Sequence, residues 1–560
     1  MVQSMYGKST RGRVLFINPP HISFERFVKP LDNDNVVHRK HGSFGSILTD
    51  MPLGILSLSA YIKKRVAVET RLVDFNIALN KLEGFEFSSF TGFFRDYLSS
   101  SDIADYAPNI IGISALFTPV YQNMLDIAQC CRDIFPNAVI IAGGGVPTNM
   151  YKEIFSKSVC FDALCYGEGE KPLLGLVETD DKLRYIKENT SWITREKVES
   201  GQSFRHDPLE NLDEIPFYDY DICDTGEYGV NPAIRSQATI DNKTQNFHVM
   251  TSRGCPFHCC FCSSHAVHGR RMRYHSISRI REDFQRLKNE YGARILVFQD
   301  DQFMANYQRA IEIIGIVKEL QLNAVFQSGL AMYALDRKML EALKSAGITQ
   351  LALSIESGSN RVLKEIMHKP LNLSIVKRVA GDCRELGIYT RGNILIGLPG
   401  ETKQDIEDTR SFLKTINVNW FSVSCATPLA GSEMLDICLK RNYIKGNYVD
   451  CDFKKAIVET EDFTTEYIQE MIYILNLELN FVENSDFRLG NYEMALKGFE
   501  NAIGARNDHA IAYYYAAKCY AKLNNVKKAE QYMNTAKAIV TENPFWQKYV
   551  DMFNIPIYQS

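Results

Sequence analysis

Short apolar strands alternate with helical stretches along most of the chain, and this alternation restricts the fold more than any other feature. The first run begins with Val14 to Asn18 (VLFIN), closed by Pro19 and Pro20, which is typical of a buried parallel strand. Further strands are predicted near residues 70–75, 110–114, 138–142 and 161–166, with helices near 53–62 and 124–133. The pattern predicts an α/β fold with an N-terminal doubly wound, Rossmann-like parallel sheet.

A second run of strand–helix units begins at Phe247. We predict its strands near six positions, Val249, Ile295, Val325, Leu351, Ile394 and Phe421. Six units are too few for a closed barrel of eight strands. The sequence therefore predicts a partial (β/α)6 barrel.

The last part of the chain repeats with the tetratricopeptide period of about 34 residues. Gly490, Ala495, Phe499 and Ala502 are followed, 34 positions later in each case, by Asn524, Ala529, Met533 and Ala536. Small residues occur where the paired helices would cross, and a turn residue occurs at the repeat boundary. An ordinary helical hairpin with chance spacing is the alternative. Two copies are few for an independent solenoid, so we expect α-helical C-terminal repeats that pack on the rest of the protein. A free module that binds a protein partner is the competing interpretation.

These patterns divide the chain into five segments. Between the two α/β runs the alternation is lost and Pro208, Pro216 and Pro232 occur, so we interpret this stretch as a connecting segment wrapped on the surface. The predicted bounds are 1–178 for the first domain, 179–246 for the connecting segment, 247–443 for the barrel, 444–480 for a linker or helical extension, and 481–560 for the repeats.

Charge and hydropathy exclude several classes of partner. The 63 basic and 67 acidic side chains leave a net charge of −4, so the chain has no general basic field for nucleic acid or an anionic membrane. No apolar run approaches the ~20 residues of a membrane span. The first residues lack the apolar core of a signal peptide. We expect a soluble, cytoplasmic protein.

Four of the 14 cysteines crowd into the motif TSRGCPFHCCFCSS. Cys255, Cys259 and Cys262 have the spacing C-x3-C-x2-C directly after a predicted strand. Three thiolates on one loop bind three irons of a four-iron cluster and leave the fourth iron open. A closed zinc site completed by His265 is the alternative. We expect the side chain of Cys260 to point away from the loop centre and to pack.

This motif, with Phe261 before the third cysteine, resembles that of the radical S-adenosylmethionine (SAM) superfamily. The resemblance implies a [4Fe-4S] cluster whose open iron binds SAM, and reductive cleavage of SAM to a 5′-deoxyadenosyl radical. The segments RILVFQDDQF, LALSIESGS and NILIGLPGET resemble the family's second, fourth and fifth strands. By that resemblance SAM would contact Phe261, Asp300 with its neighbour Asp301, Ser354, Glu356, Ile396 and Gly397.

The first domain resembles the cobalamin-binding domains that accompany some radical SAM barrels. The matching features are a Ser-x-Leu and a Gly-Gly pair at two strand ends, together with MPLGILSL and DALCYGEGE. The resemblance implies contacts to cobalamin from Ser114, Leu116, Thr118, Gly143, Gly144, Gly145, Gly167 and Glu168. The motif for a lower axial histidine is absent, so we expect none of His21, His38 and His41 to bind cobalt. A flavodoxin-like fold without this cofactor is the alternative.

Together the two domains resemble enzymes that methylate an unactivated carbon of a small-molecule or natural-product substrate. In those enzymes one SAM methylates cobalt, a second yields the radical, and the substrate radical takes the methyl group. The resemblance also implies flavodoxin or ferredoxin as electron donor. A non-methylating reaction with the same cofactors, such as oxidative cyclisation or rearrangement, is the alternative. A metal-bound scaffold without catalysis is a third hypothesis, and no residue stands out as an acid or base.

Overall fold

The computed structural model describes residues 12–30, 36–47, 49–229, 245–450 and 454–558. Its strands are β1 Arg13–Asn18, β2 Val36–Arg39, β3 Gly42–Gly45, β4 Glu69–Asp74, β5 Ile110–Ser114, β6 Val139–Gly143, β7 Ala163–Cys165, β8 Trp192–Ile193, β9 Asn246–Val249, β10 Ser252–Arg253, β11 Arg273–Tyr274, β12 Ile295–Phe298, β13 Asn323–Phe326, β14 Gln350–Glu356, β15 Tyr389–Ile396 and β16 Trp420–Cys425.

Helices separate these strands and form the C-terminal part. Up to the barrel they span Phe24–Val28, Leu53–Arg65, Phe75–Asn80, Phe90–Leu98, Ser101–Tyr106, Tyr121–Ile134, Gly145–Asn149, Tyr151–Lys157, Glu170–Glu178, Lys182–Glu188 and Arg195–Glu199. From the barrel onward they span His265–His268, Ile277–Tyr291, Tyr307–Glu319, Arg337–Ser345, Leu373–Glu385, Lys403–Leu413, Glu433–Arg441, Thr465–Leu477, Ser485–Arg488, Tyr492–Ala505, Ala510–Lys522, Val526–Glu542 and Pro544–Met552. None of the described helices is both long and apolar enough to cross a membrane.

The N-terminal sheet has the strand order β4-β1-β5-β6-β7-β8, parallel except for β8. Val14, Leu15, Phe16 and Ile17 of β1 are almost completely buried, because helices cover both faces of the sheet. This confirms the predicted doubly wound fold. The order reverses between β1 and β5, and in such sheets ligands bind outside the carboxyl ends of the strands at this point.

The barrel consists of two three-stranded parallel sheets, β9-β12-β13 and β14-β15-β16, joined by a bridge between Leu330 and Leu353. Along β15, partly exposed Arg391 and Asn393 alternate with buried Ile394 and Ile396. This period of two separates an apolar face from a more polar one. The predicted partial (β/α)6 barrel is confirmed.

The connecting segment differs from the prediction, because much of it is buried. Trp192 lies in β8, which extends the N-terminal sheet, and is 1% exposed. Leu212, Ile215 and Tyr220 belong to the same hydrophobic core as the barrel. This segment therefore fills the junction between the first domain and the barrel. Its apolar side chains follow no regular period, but they pack against both domains.

The C-terminal helical region packs against β16, the edge strand of the barrel. Asn480 accepts a hydrogen bond from the backbone N–H of Phe421 in β16 (2.7 Å) and donates one to its carbonyl (2.9 Å). Asp486 binds Arg384 and accepts a hydrogen bond from Asn419 at 2.9 Å. A strand edge leaves unpaired backbone groups, and Asn480 satisfies two of them in β16. The contacts favour the docked tail over a free module.

The repeat has the geometry that its period predicts. Gly490 and Asn524, which occupy equivalent positions, both adopt positive φ angles, +82° and +61°, just before a helix. Glycine and asparagine are the residues that best tolerate this conformation. Ala495, Phe499 and Ala536 are almost fully buried where the helices meet.

Candidate active site

The three motif cysteines lie on one loop that leaves the barrel after β10 and returns through β11. Cys255, Cys259 and Cys262 are each partly exposed, whereas Cys260 is 4% exposed and belongs to the barrel core. The backbone of Cys260 is anchored at both ends, because its N–H donates to Met367 and its carbonyl accepts from Met434. The loop therefore presents three thiols outward and turns the fourth inward, as predicted.

The chemistry of these thiols fits a cluster that must displace protons to bind. Burial raises the pKa of Cys255 to about 11 and also raises that of Cys259, which Lys369 counteracts. The thiols of Cys255 and Cys259 are therefore harder to deprotonate than a free cysteine, and iron replaces their protons when it binds. In the described part of the chain, no group of three or more His, Cys, Asp or Glu side chains is placed to hold a single metal ion. Three cysteine side chains on one loop are the donor set for a four-iron cluster with one open iron.

Asp300 is buried and holds the residues that lead into this loop. Its carboxylate is 3% exposed and accepts hydrogen bonds from Thr251 Oγ1 at 2.7 Å and Ser252 Oγ at 2.5 Å. Burial raises its pKa, although these bonds favour the ionised form. The neighbouring Asp301 lies close enough to interact electrostatically with Cys255, and its buried Oδ2 has no partner among the described residues. Asp301 is therefore the better candidate for a contact with SAM.

Glu356 lies close to the cluster loop at the end of β14. It accepts a hydrogen bond from Lys369 at 3.1 Å, and both side chains interact electrostatically with Cys259. The prediction placed Ser354 and Glu356 on one strand face, but a register shift between them turns the backbone, and Glu356 has a φ of +67°. Ser354 remains partly exposed on the strand.

The predicted adenine contacts are arranged differently from the expectation. Ile396 is fully buried in the hydrophobic core, and the neighbouring Leu395 is the partly exposed residue. The N–H of Gly397 donates to buried Glu401 Oε2 at 2.6 Å. Phe261 is partly buried against the barrel core. The side chain of Ile396 thus lies in the barrel core, on the opposite face of β15 from Leu395, and its contact with adenine stays a prediction.

The carboxyl ends of β5 and β6 lie where parallel sheets of this type bind ligands in a crevice. Ser114 is partly exposed at the end of β5, and the large apolar side chains of Leu116 and Phe117 are 49% and 42% exposed. At Gly143 a side chain would meet only Cys165 at ordinary contact distance, 3.6 Å. Exposed apolar side chains beside an open strand end are the features expected of a site for a large planar ligand. These residues fit cobalamin.

Other residues predicted to contact cobalamin pack against neighbouring parts of the protein. A Cβ at Gly144 or Gly145 would lie 2.5 Å from the backbone oxygen of Ala115 or Leu116, so these glycines allow two loops to pack and do not open the crevice. Gly167 packs against the ring of His206. Thr118 is 2% exposed. The strand-end motif thus combines residues that face the crevice with residues that hold its walls together.

Glu168 joins the first domain to the cluster loop through buried ion pairs. Its carboxylate accepts hydrogen bonds from Arg273 at 2.5 and 2.9 Å and from His268 Nδ1 at 2.9 Å, and Arg253 lies 3.3 Å away. Arg253 also donates to Glu170 at 2.7 Å. The cations outweigh desolvation and lower the pKa of Glu168 far below its usual value. Because Arg253 and Arg273 lie in β10 and β11, which flank the cysteine loop, this network fixes the loop against the first domain.

The three candidate histidines differ in position. His38 and His41 are exposed on the β2–β3 hairpin, where His38 bonds Ser43 at 2.8 Å. His21 follows β1 at the point where the strand order reverses. Burial lowers the pKa of His21, against the attraction of Asp74 and Asp50.

One pair of residues was missed by the sequence reasoning. Asp50 accepts hydrogen bonds from His248 Nε2 at 3.1 Å and from Gln327 Nε2 at 3.0 Å, so a loop of the first domain reaches the barrel strands. Burial disfavours the charge of Asp50, but these two donors outweigh it and lower the pKa. No motif indicates this contact. A histidine in the middle of an apolar strand was the only available signal.

Comparison with protein families matches this architecture segment by segment. The B12 binding domain matches residues 48–177, the radical SAM superfamily matches residues 249–413, and a tetratricopeptide repeat matches residues 487–548. The chain therefore carries a B12-binding domain, a radical SAM domain and a tetratricopeptide repeat. These domains confirm the predicted cofactors, a [4Fe-4S] cluster, SAM and cobalamin.

Several relatives of this chain are methyltransferases. The chain is 29% identical to an uncharacterized methyltransferase of Pyrococcus horikoshii over 67% of this chain and 80% of the relative. It is 26% identical to cytidylyl-2-hydroxyethylphosphonate methyltransferase of Streptomyces wedmorensis over 69% of this chain and 78% of the relative. A structure of the cobalamin-dependent SAM radical enzyme OxsB superposes with a TM-score of 0.58 and 15% identity, covering 96% of this chain and 80% of that one, and shows the same fold. These relatives confirm the predicted enzyme class and do not favour the non-methylating alternative.

Proposed function

We propose that this enzyme transfers a methyl group from SAM to an unactivated carbon atom of a small-molecule substrate. The observation that carries the proposal is the buried network around Glu168, which joins the loop beside the cobalamin crevice to the strands flanking the cysteine loop. Methyl transfer through two cofactors needs both to reach one substrate. A rigid ionic connection between their two loops supports that requirement.

When bound, cobalamin would carry the methyl group and the cluster would supply the electron that cleaves SAM to a 5′-deoxyadenosyl radical. Cys255, Cys259 and Cys262 would hold the cluster. Asp301 offers a buried carboxylate oxygen to the amino group of SAM. Ser114, Gly143 and the exposed Leu116 would receive cobalamin, and the closed contact between the domains would exclude water.

The remaining partners follow from this chemistry. Each radical requires one low-potential electron, so we propose flavodoxin or ferredoxin as donor. Every cysteine that the structure describes is a free thiol, which supports a reducing compartment such as the cytoplasm. The C-terminal repeats offer a surface for a protein partner.

The test uses anaerobically reconstituted enzyme, dithionite, SAM and a panel of candidate metabolites. Methylation consumes two SAM molecules differently, so we expect both 5′-deoxyadenosine and S-adenosylhomocysteine, and a product heavier by one methyl group. Changing Cys255, Cys259 or Cys262 to Ala should abolish 5′-deoxyadenosine, whereas the matched control Cys260→Ala should retain the cluster. Production of 5′-deoxyadenosine alone, with an unmethylated product, would contradict the proposal and favour a cyclisation or rearrangement.

A further inference from the structure

The loop that carries the cluster cysteines is covered unevenly by the rest of the protein. Cys260 is buried in the barrel core, and the Glu168 network joins the strands that flank the loop to the first domain. Pro256 and His258, which lie between the first two cluster cysteines, are exposed. The rate of electron transfer between two redox centres falls steeply with distance. An external donor therefore reduces the cluster fastest when it binds against Pro256 and His258.

Two aromatic rings lie beside these exposed residues. Phe257 contacts the ring of Tyr333 edge to face, at a centroid distance of 5.8 Å. Tyr333 is 40% exposed and lies close enough to Cys255 to interact with it electrostatically. Exposed apolar surface next to a functional loop is typical of a surface that binds another molecule, and tyrosine is enriched in protein–protein interfaces.

The sequence around the cluster loop is positively charged, although the whole chain has a net charge of −4. Residues 242–281 contain six arginines and one lysine but no Asp or Glu. Four of the arginines are paired with carboxylates from outside this stretch, namely Arg253 and Arg273 with Glu168, Arg279 with Asp283, and Arg281 with Glu319. The other two arginines, Arg270 and Arg271, follow each other in the cluster loop.

Arg270 and Arg271 bring positive charge to the exposed part of the loop. Arg270 donates a hydrogen bond to the backbone carbonyl of Phe257, which holds the guanidinium beside Pro256 and His258. The side chain of Arg271 is 70% exposed and pairs with Glu210, which is 64% exposed. A surface ion pair of this kind is weak, so a second anion can exchange with it. We define the cluster rim as Pro256, Phe257, His258, Arg270, Arg271 and Tyr333.

We propose that the cluster rim binds a small acidic electron-carrier protein. The inference rests on the proposed function for the need of one low-potential electron per radical, and it adds the surface through which that electron enters. Complementary charge raises the association rate and orients the carrier, and the aromatic surface is buried on contact. The carrier loses one electron and the cluster gains one, from the 2+ to the 1+ state, and no proton or group is transferred.

Stopped-flow absorbance tests this on the reconstituted enzyme without substrate or SAM. Flavodoxin hydroquinone and reduced ferredoxin serve as carriers in separate experiments, and the larger rate constant distinguishes a flavin donor from an iron–sulfur donor. We expect the second-order rate constant to fall as the ionic strength rises from about 0.01 to 0.15 M, because the Debye length shortens from about 30 to about 8 Å. A neutral reductant, photoreduced 5-deazariboflavin, should show no such salt dependence.

Charge variants locate the surface. Arg271→Glu should lower the rate constant with either carrier by about tenfold or more, since it reverses a charge on the rim. Glu210→Gln should raise it, because it removes the carboxylate that opposes an acidic partner. Lys527→Glu, an exposed change on the distant helix Val526–Glu542, is the matched control and should have no effect. All variants should be reduced equally by deazariboflavin, which shows that their clusters are intact.

Binding gives a readout that does not depend on electron transfer. Isothermal titration of the reconstituted enzyme with oxidised flavodoxin or oxidised ferredoxin should give a Kd that is about tenfold higher in Arg271→Glu and lower in Glu210→Gln than in the wild type.

Values for Arg271→Glu within about twofold of the wild type, or an equal loss in Lys527→Glu, would overturn the proposal. A wild-type cluster that accepts electrons from deazariboflavin but from neither carrier would overturn it as well. Methylation is assayed separately with a chemical reductant. Absence of a methylated product in that assay argues against the proposed function and leaves the result for the cluster rim standing.

Discussion

Removing the charge of Glu168 should destabilise the protein more than any other single carboxylate-to-amide change between the two domains. In Glu168→Gln, Arg273 and His268 lose their carboxylate, and Arg253 loses one of its two carboxylate partners but keeps Glu170. Arg253 and Arg273 are each about 4% exposed on the side chain, so water cannot replace the lost partner. Breaking a buried pair in this way costs about 3–5 kcal/mol, because an uncompensated charge remains.

Equilibrium urea unfolding measures this loss. The three tryptophans lie one each in the first domain, the barrel and the repeats, so their fluorescence together with circular dichroism tests whether the domains unfold as one unit. The matched control is Glu178→Gln, an exposed carboxylate at the end of the helix Glu170–Glu178. We expect the control to change the free energy of unfolding by less than about 0.5 kcal/mol.

The pH dependence gives a second check on the same residue. The pKa of Glu168 is lowered in the folded protein, so its contribution is complete above the unfolded pKa of about 4.3 and declines as the pH falls below it. The stability difference between the wild type and Glu168→Gln should therefore shrink below about pH 4. A loss no larger than that of Glu178→Gln, or a difference that grows in acid, would refute the reasoning.

Three further predictions concern the crevice, the barrel edge and the loop that follows β15. Gly144→Ala should lower the free energy of unfolding by about 2 kcal/mol or more in urea titrations, because its φ is +111° and the new Cβ meets the oxygen of Ala115. Gly143→Ala should cost under about 0.5 kcal/mol. Equal costs for the two variants would contradict this prediction. Asn480→Ala should cost about 2–3 kcal/mol in the same assay, since both backbone groups of Phe421 lose a partner; wild-type stability would show that water replaces the side chain. Burial raises the pKa of Glu401 to about 8, so the folded state holds a proton that the unfolded state releases, and stability should fall by about 1.4 kcal/mol per pH unit from about pH 5 to 8. Glu401→Gln should remove that slope, and an unchanged slope would assign it to another group.

Local patterns in the sequence were sufficient for the architecture. The strands of β1, β5 and β15 were predicted from runs of apolar residues and their period, because burial on one or both faces imposes that period wherever a strand forms. The repeat at Gly490 and Asn524 was readable for a similar reason, since the left-handed backbone of a turn restricts the residue types that can occupy it. Four cysteines within eight positions likewise carry their chemistry in their spacing.

The positions of the site residues depended instead on contacts between distant segments. Glu168 was predicted to face cobalamin, but it pairs with Arg273, 105 residues away in the sequence. Asp300 was predicted to face SAM, but it holds Thr251 and Ser252. In both cases the sequence indicated an important carboxylate and left its partner open.

Asp50 and His248 show the same limit most clearly, because 198 residues separate them and neither belongs to a recognisable motif. The sequence by itself determined the strands, the repeat and the cluster loop, since periodicity, turn conformation and ligand spacing act over a few residues. Only the tertiary structure decided which buried charge meets which cation and which distant donors a carboxylate accepts. Those pairings depend on how whole surfaces meet, and the free energy of each buried polar group depends on the partner that arrives there.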